Sequence, residues 1–299
     1  MIQLNALTKR YGDVAAVDDL TVTVRPGLVT GFLGPNGAGK TTTLRMILGL
    51  DLPTSGSATV DGRPHHELPS PLRVIGSLLE AQAVHPQRTP YKHLLYLAQS
   101  NSIPAGRVTE VLDLVGLADV AGRKAGGFSL GMSQRLGLAA ALLGDPPVVV
   151  LDEPVNGLDP EGVRWIRALI RALAAEGRTV LVSSHLMSEM AVTADRLVII
   201  GKGRLIAEGE IGEFTETGST VLVRTPEAAA FSRRLELSGA HVQPGDEDEL
   251  LVTGMTAPDV GRLAAAEGVA LFELTQRRVS LEDTFMELTR GSVEYGAAR

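Results

Sequence analysis

Apolar and polar positions divide the chain into two regions of different grain. In the first, short apolar runs alternate with longer amphipathic stretches. Residues 2–4 and 20–24, the latter reading Leu-Thr-Val-Thr-Val, predict strands by their period of two. A short apolar run at 29–33 ends at a glycine. Behind it, Leu44, Ile47 and Leu48 take the i, i+3, i+4 spacing of a helix closed by Gly49. Residues 83–145 read mostly as helix, with apolar faces at Leu94, Leu95, Leu97 and Ala98 and at Val108, Val111, Leu112 and Val115. The run Val148-Val149-Val150-Leu151 is continuous, as in a strand buried on both faces. A helix over 161–175, a strand over 179–183 and a hairpin around Gly201-Lys202-Gly203 complete the region. Strands alternating with helices predict an α/β fold with a mostly parallel sheet.

The pattern changes near residue 213. Strands are predicted at 221–223, 249–253 and 270–275, and helices at 226–238, 257–267 and 280–290. Gly245-Asp246-Glu247-Asp248 reads as an acidic turn. The expected organisation is an α/β domain over 1–212, with a helical subdomain at about 81–145, and a small α+β domain over 213–299.

Composition narrows the function. The hydrophobic fraction of 44% supports a real core in a 299-residue chain. A net charge of −7 argues against a nucleic-acid partner, whose phosphates call for a basic stripe. With no cysteine there are no disulfides, thiolate metal sites or cysteine nucleophiles. No apolar run approaches the roughly 18–20 residues that span a bilayer, and the N-terminus carries no apolar signal core. A cytoplasmic location is expected.

Gly34-Pro35-Asn36-Gly37-Ala38-Gly39-Lys40-Thr41 matches G-x-x-x-x-G-K-[ST] in full, and Thr42 follows. Glycines let backbone N–H groups turn inward around phosphate oxygens, and the following helix presents its positive end to them. Lys40 is placed to reach the β and γ phosphates of ATP, and the Thr41 hydroxyl to ligate Mg²⁺. Asp152 and Glu153 end the 148–151 run. Asp152 is suited to hold Mg²⁺, and Glu153 to act as general base on the attacking water.

Phe128-Ser129-Leu130-Gly131-Met132-Ser133-Gln134-Arg135 resembles the signature of the ATP-binding-cassette (ABC) ATPases. It departs from that pattern at Leu130, where glycine is usual, and at Met132, where glutamine is usual. The resemblance covers roughly the first 210 residues and implies a P-loop NTPase fold. It further implies that Ser129, Gly131 and Asp159 meet an ATP held by the opposite subunit of a dimer. His185 resembles the switch histidine at the γ-phosphate, and Tyr11 the aromatic that stacks on adenine. At the position of the usual glutamine near Mg²⁺ stands Glu80, with Gln82 two residues on.

That acidic version resembles exporter subunits for drugs and peptide antibiotics, as does the C-terminal region ending in Ser280–Arg290. The expected protein is an ATP hydrolase that energises a separate membrane permease. It would lie at the inner face of the cell membrane through that permease and pair with a second copy or a paralogous subunit. The C-terminal domain is expected to make dimer contacts or to regulate. A soluble ABC ATPase acting on the ribosome or DNA, or a nucleotide sensor without turnover, remains the alternative.

Overall fold

A computed structural model describes residues 1–80, 83–216, 219–246, 248–278 and 285. Gln82, Glu247 and most of the helix expected over 280–290 lie outside the described residues. The chain forms two compact units, with Met1–Glu210 in the first and Ile211–Glu287 in the second.

The first unit opens with β1 (Ile2–Tyr11) and β2 (Val14–Val24), which pair antiparallel. Both are longer than the alternation at 2–4 and 20–24 suggests, because bulges shift the register between Leu4 and Arg10 and break the period of two. Then come β3 (Val29–Leu33), α1 (Lys40–Ile47), β4 (Ser55–Val60) and β5 (Ile75–Leu78). Helices α2 (Pro90–Ser100), α3 (Gly106–Leu114) and α4 (Leu130–Leu142) fill the region read as helical. The unit continues through β6 (Val148–Asp152), α5 (Pro160–Ala175), β7 (Thr179–Ser184), α6 (Met187–Thr193), β8 (Arg196–Gly201) and β9 (Arg204–Glu210).

Two sheets result. One has the order β2-β1-β4, and the other the order β5-β6-β7-β3-β8-β9. The second is parallel except for β9, the return arm of the expected hairpin. All five residues of β3 are buried, as a continuous apolar run requires at the centre of a covered sheet. Leu4, Val22, Phe32, Leu44, Ile47, Val150 and Leu181 share one core between the two sheets and α1. On the other face α5 and α6 pack against β3 and β7, with Ile166 and Ile170 turned inward. The carboxyl ends of β3, β6 and β7 therefore lie side by side, where α/β sheets place their ligands.

The second unit contains α7 (Ile211–Glu216), β10 (Ser219–Arg224), α8 (Ala228–Leu237), β11 (His241–Pro244), β12 (Glu249–Thr253), α9 (Ala257–Glu267) and β13 (Glu273–Arg278). Its sheet order is β11-β12-β10-β13, antiparallel throughout. From β10 the chain runs βαββαβ, a split βαβ arrangement. Val221, Val223, Phe231, Leu235, Val252 and Val260 form its separate core. The short exposed β11 left no apolar signal, and the last strand falls at 273–278 rather than at 270–275.

Candidate functional site

The loop between β3 and α1 is built by its glycines. Gly37 and Gly39 hold φ of 81° and 99°, the left-handed region that favours glycine. At Gly39 a Cβ would lie 2.3 Å from the Ala16 carbonyl oxygen, so no side chain fits there. Gly39 is also the N-cap of α1 and supplies no side-chain cap, leaving the first-turn N–H groups directed at the loop. The result is a cavity of about 300 Å³ lined by Ala16, residues 35–42, Asp152 and Glu153.

The charged groups Lys40 and Asp152 of the cavity are each held by neutral neighbours. The Lys40 ammonium donates to the carbonyls of Gly34 at 2.5 Å and Pro35 at 3.2 Å. Burial pushes its pKa down, against the opposing pull of Glu153 and Asp152. The Thr41 hydroxyl donates to Asp152 Oδ2 at 3.1 Å, and Ser183 donates to Asp152 Oδ1. A hydroxyl and a carboxylate from two different elements thus meet beside the phosphate loop, a hard-oxygen donor set that fits Mg²⁺.

Glu153 leaves β6 in the left-handed conformation, with φ of 48°. A non-glycine residue held there is found disproportionately at functional sites. Its N–H donates to the Ser183 carbonyl at 3.2 Å. His185 Nδ1 lies 2.8 Å from Glu153 Oε1. The second carboxylate oxygen, Oε2, is buried and has no hydrogen-bond partner among the described residues.

Other expected site residues stand apart from this cavity. Ser129 caps α4 by accepting from the Met132 N–H at 3.2 Å, and Asp159 caps α5 by accepting from the Gly162 N–H at 2.8 Å. Both residues are exposed, and neither is among the residues that line the cavity; nor is Gly131. Tyr11 is 52% exposed. Its hydroxyl contacts Asp51 at 3.3 Å, and the Lys9 ammonium sits 5.1 Å from its ring centroid. Glu80 lines a neighbouring cavity of about 320 Å³ with Arg45, Leu50 and His93. Among the described residues no three His, Cys, Asp or Glu side chains gather into a metal cluster.

Sequence reasoning passed over Ser183 and assigned no role to Gln134. Ser183 is fully buried and ties the Asp152 carboxylate to the Glu153 backbone. Gln134 donates from Nε2 to the Glu153 carbonyl at 3.2 Å. Only the pairing of β6 with β7 and the seating of α4 reveal these contacts.

The phosphate loop, the acid pair at a neighbouring strand end and the capped signature helix agree with what comparison with known proteins finds. A family model described as ABC transporter matches residues 17–156. The uncharacterised ABC transporter ATP-binding protein YhcH of Bacillus subtilis (strain 168) is 37% identical over 97% of this chain and 96% of its own length. The chain belongs to the ABC transporter ATP-binding proteins.

Among its relatives, the bacitracin transport ATP-binding protein BcrA of Bacillus licheniformis is 36% identical over 97% of this chain and 98% of that protein. The bacterial ABC transporter cassette MJ0796, solved as a dimer, superposes with a TM-score of 0.65 at 26% identity, covering 71% of this chain and 99% of that one. A second dimeric structure of it, a post-hydrolysis state bound to ADP and Pi, gives a TM-score of 0.65 at 25% identity over the same shares of the two chains. A further model, described as a domain of unknown function (DUF8746), matches residues 219–282. This ABC ATPase binds ATP. None of its described helices is long and apolar enough to cross a membrane.

Proposed function

We propose that the chain hydrolyses ATP with Glu153 as general base, and that two copies complete each other's sites to drive a separate export permease. One observation carries the catalytic part. Glu153 has one carboxylate oxygen on His185 and the other buried without a partner among the described residues, in a residue that lines the phosphate cavity. A carboxylate oxygen without a donor has acceptor capacity that a water entering the cavity would satisfy.

Lys40, the loop N–H groups and the end of α1 bind the phosphates and neutralise their charge. Thr41 and Asp152 would hold Mg²⁺, with Glu80 as a further candidate ligand; the ion supplies charge neutralisation at the β and γ phosphates when bound. His185 orients the Glu153 carboxylate, and Glu153 takes the proton of the attacking water. Tyr11 offers an aromatic face to adenine, although Lys9 already lies over its ring.

The exposed positions of Ser129 and Asp159, outside the cavity, support completion of the site by a second copy. The dimeric cassette MJ0796 supports the same reading. The permease partner and the direction of transport follow the relatives, which include a bacitracin transport protein and a Nod factor export protein. The domain of residues 213–299 is assigned dimer contacts or regulation.

A mixing experiment tests the shared site. Lys40→Ala and Ser129→Glu subunits are each expected to be inactive. Mixed, they form heterodimers with one intact site, restoring about a quarter of wild-type ATPase activity. No recovery, with heterodimers present, would overturn the shared site.

A further inference from the structure

We propose that Gln134 is a positioning residue for Glu153, through which the seating of the signature helix sets the geometry of hydrolysis. The proposal rests on the reading of Glu153 as general base.

Two contacts seat α4 on the segment that follows β6, and Arg135 holds it to α5 and to Val115. Leu130 lies against Gly157, where a Cβ would fall 2.2 Å from Leu130 Cδ2. Gln134, one turn on and 4% exposed, donates to the Glu153 carbonyl at 3.2 Å. Positions i and i+4 share one helix face, so Leu130 and Gln134 act on the segment together. Arg135 places its guanidinium 4.4 Å over the Trp165 ring in α5, while its Nη1 donates to the Val115 carbonyl at 3.0 Å.

The Gln134 contact falls on the most constrained backbone of the site. Glu153 has a φ of 48° and is held at its N–H by Ser183, on β7. Its carbonyl is held by Gln134 and by the N–H of Asn156 at 3.1 Å. The left-handed conformation is costly for a residue with a Cβ and persists only when its surroundings impose it. Of these clamps, Gln134 alone comes from the helix that Ser129 caps. A displacement of α4 that lengthens this bond leaves the Glu153 carbonyl to Asn156 alone and lets the side chain turn. Gln134 is not among the residues that line the phosphate cavity, and it acts on kcat through the backbone of the base.

The test is Gln134→Met, which keeps the volume and removes the donor. In the full chain, kcat is expected to fall about tenfold, the scale of one hydrogen bond lost from the support of the base. ATP affinity is expected to stay near wild type, because the phosphate loop is untouched, and Tm to fall by about 2–4 °C, as for one lost hydrogen bond. The decisive measurement repeats the change in a Glu153→Gln background by single-turnover hydrolysis. Because Gln134 works through Glu153, the second change should leave the residual rate unaltered. A wild-type kcat in Gln134→Met, or a further tenfold loss in the double variant, overturns the proposal. A wild-type rate in Glu153→Gln alone would instead remove the general base on which it rests.

Discussion

His185 and Glu153 are joined side chain to side chain, with Nδ1 of the imidazole 2.8 Å from Oε1 of the carboxylate. They lie 32 positions apart, and the sheet brings them together. Parallel β6 and β7 pair Asp152 with Ser183, so the residues just past each strand end emerge side by side. One oxygen is occupied by the imidazole, and the other has no hydrogen-bond partner among the described residues.

His185→Ala removes that partner and lets Glu153 rotate. The expected result is a fall in kcat of about 10- to 100-fold, within the range of a disturbed general base. ATP affinity should change less than twofold, since His185 does not line the phosphate cavity. Phosphate-release kinetics and equilibrium nucleotide binding check the two halves.

Arg167 and Glu189 form a two-pronged pair, at 2.8 and 2.7 Å, that ties α5 to the helix following His185. Arg167→Ala should cost about 1 kcal/mol of stability, a modest value because Arg167 is part-exposed. Activity should fall with unchanged ATP affinity, because α6 carries the tether of His185. Arg167→Lys keeps the charge and loses the fork, so it should restore little. Thermal melts and steady-state rates decide.

Gly157 holds a φ of 74° against Leu130. Gly157→Ala therefore meets two penalties, left-handed backbone strain and a collision, for a combined cost of about 2–4 kcal/mol. Adding Leu130→Gly should return the collision part only. A double-mutant cycle by chemical denaturation measures that coupling, and simple additivity would mean that the two residues do not meet.

Burial lowers the Lys40 pKa, so the unfolded chain holds this proton more tightly than the folded one. Native stability therefore carries a full penalty below the depressed pKa and regains it as pH rises through that value toward 10.5. Compared with Lys40→Met, the nucleotide-free wild type should gain relative stability between pH 7 and pH 10. Paired melts at the two pH values measure it, while ATP binding by the variant is lost.

The phosphate loop was legible because its chemistry is local. Gly34 to Thr41 state their own geometry, and Gly39 tolerates no side chain. The acid pair was legible because the apolar run before it marks a buried strand end. Ser183 and Gln134 carry no such mark, since a buried serine in a strand and a glutamine in a helix read as ordinary residues. Their roles follow from β6–β7 register and from the seating of α4. Bulges hid the length of β1, and the exposed β11 lacked an apolar pattern. Ser129 and Asp159 were legible only through the family resemblance, and their use as helix caps comes from the structure.

The central claim is that Glu153 takes the proton of the attacking water. The most direct measurement is single-turnover hydrolysis by Glu153→Gln at saturating ATP and Mg²⁺, with ATP affinity and oligomeric state recorded on the same sample. The account predicts ATP binding near wild type, hydrolysis slowed about 100-fold or more, and a dimer that persists while ATP remains. Hydrolysis at the wild-type rate by a variant that binds ATP normally would contradict it.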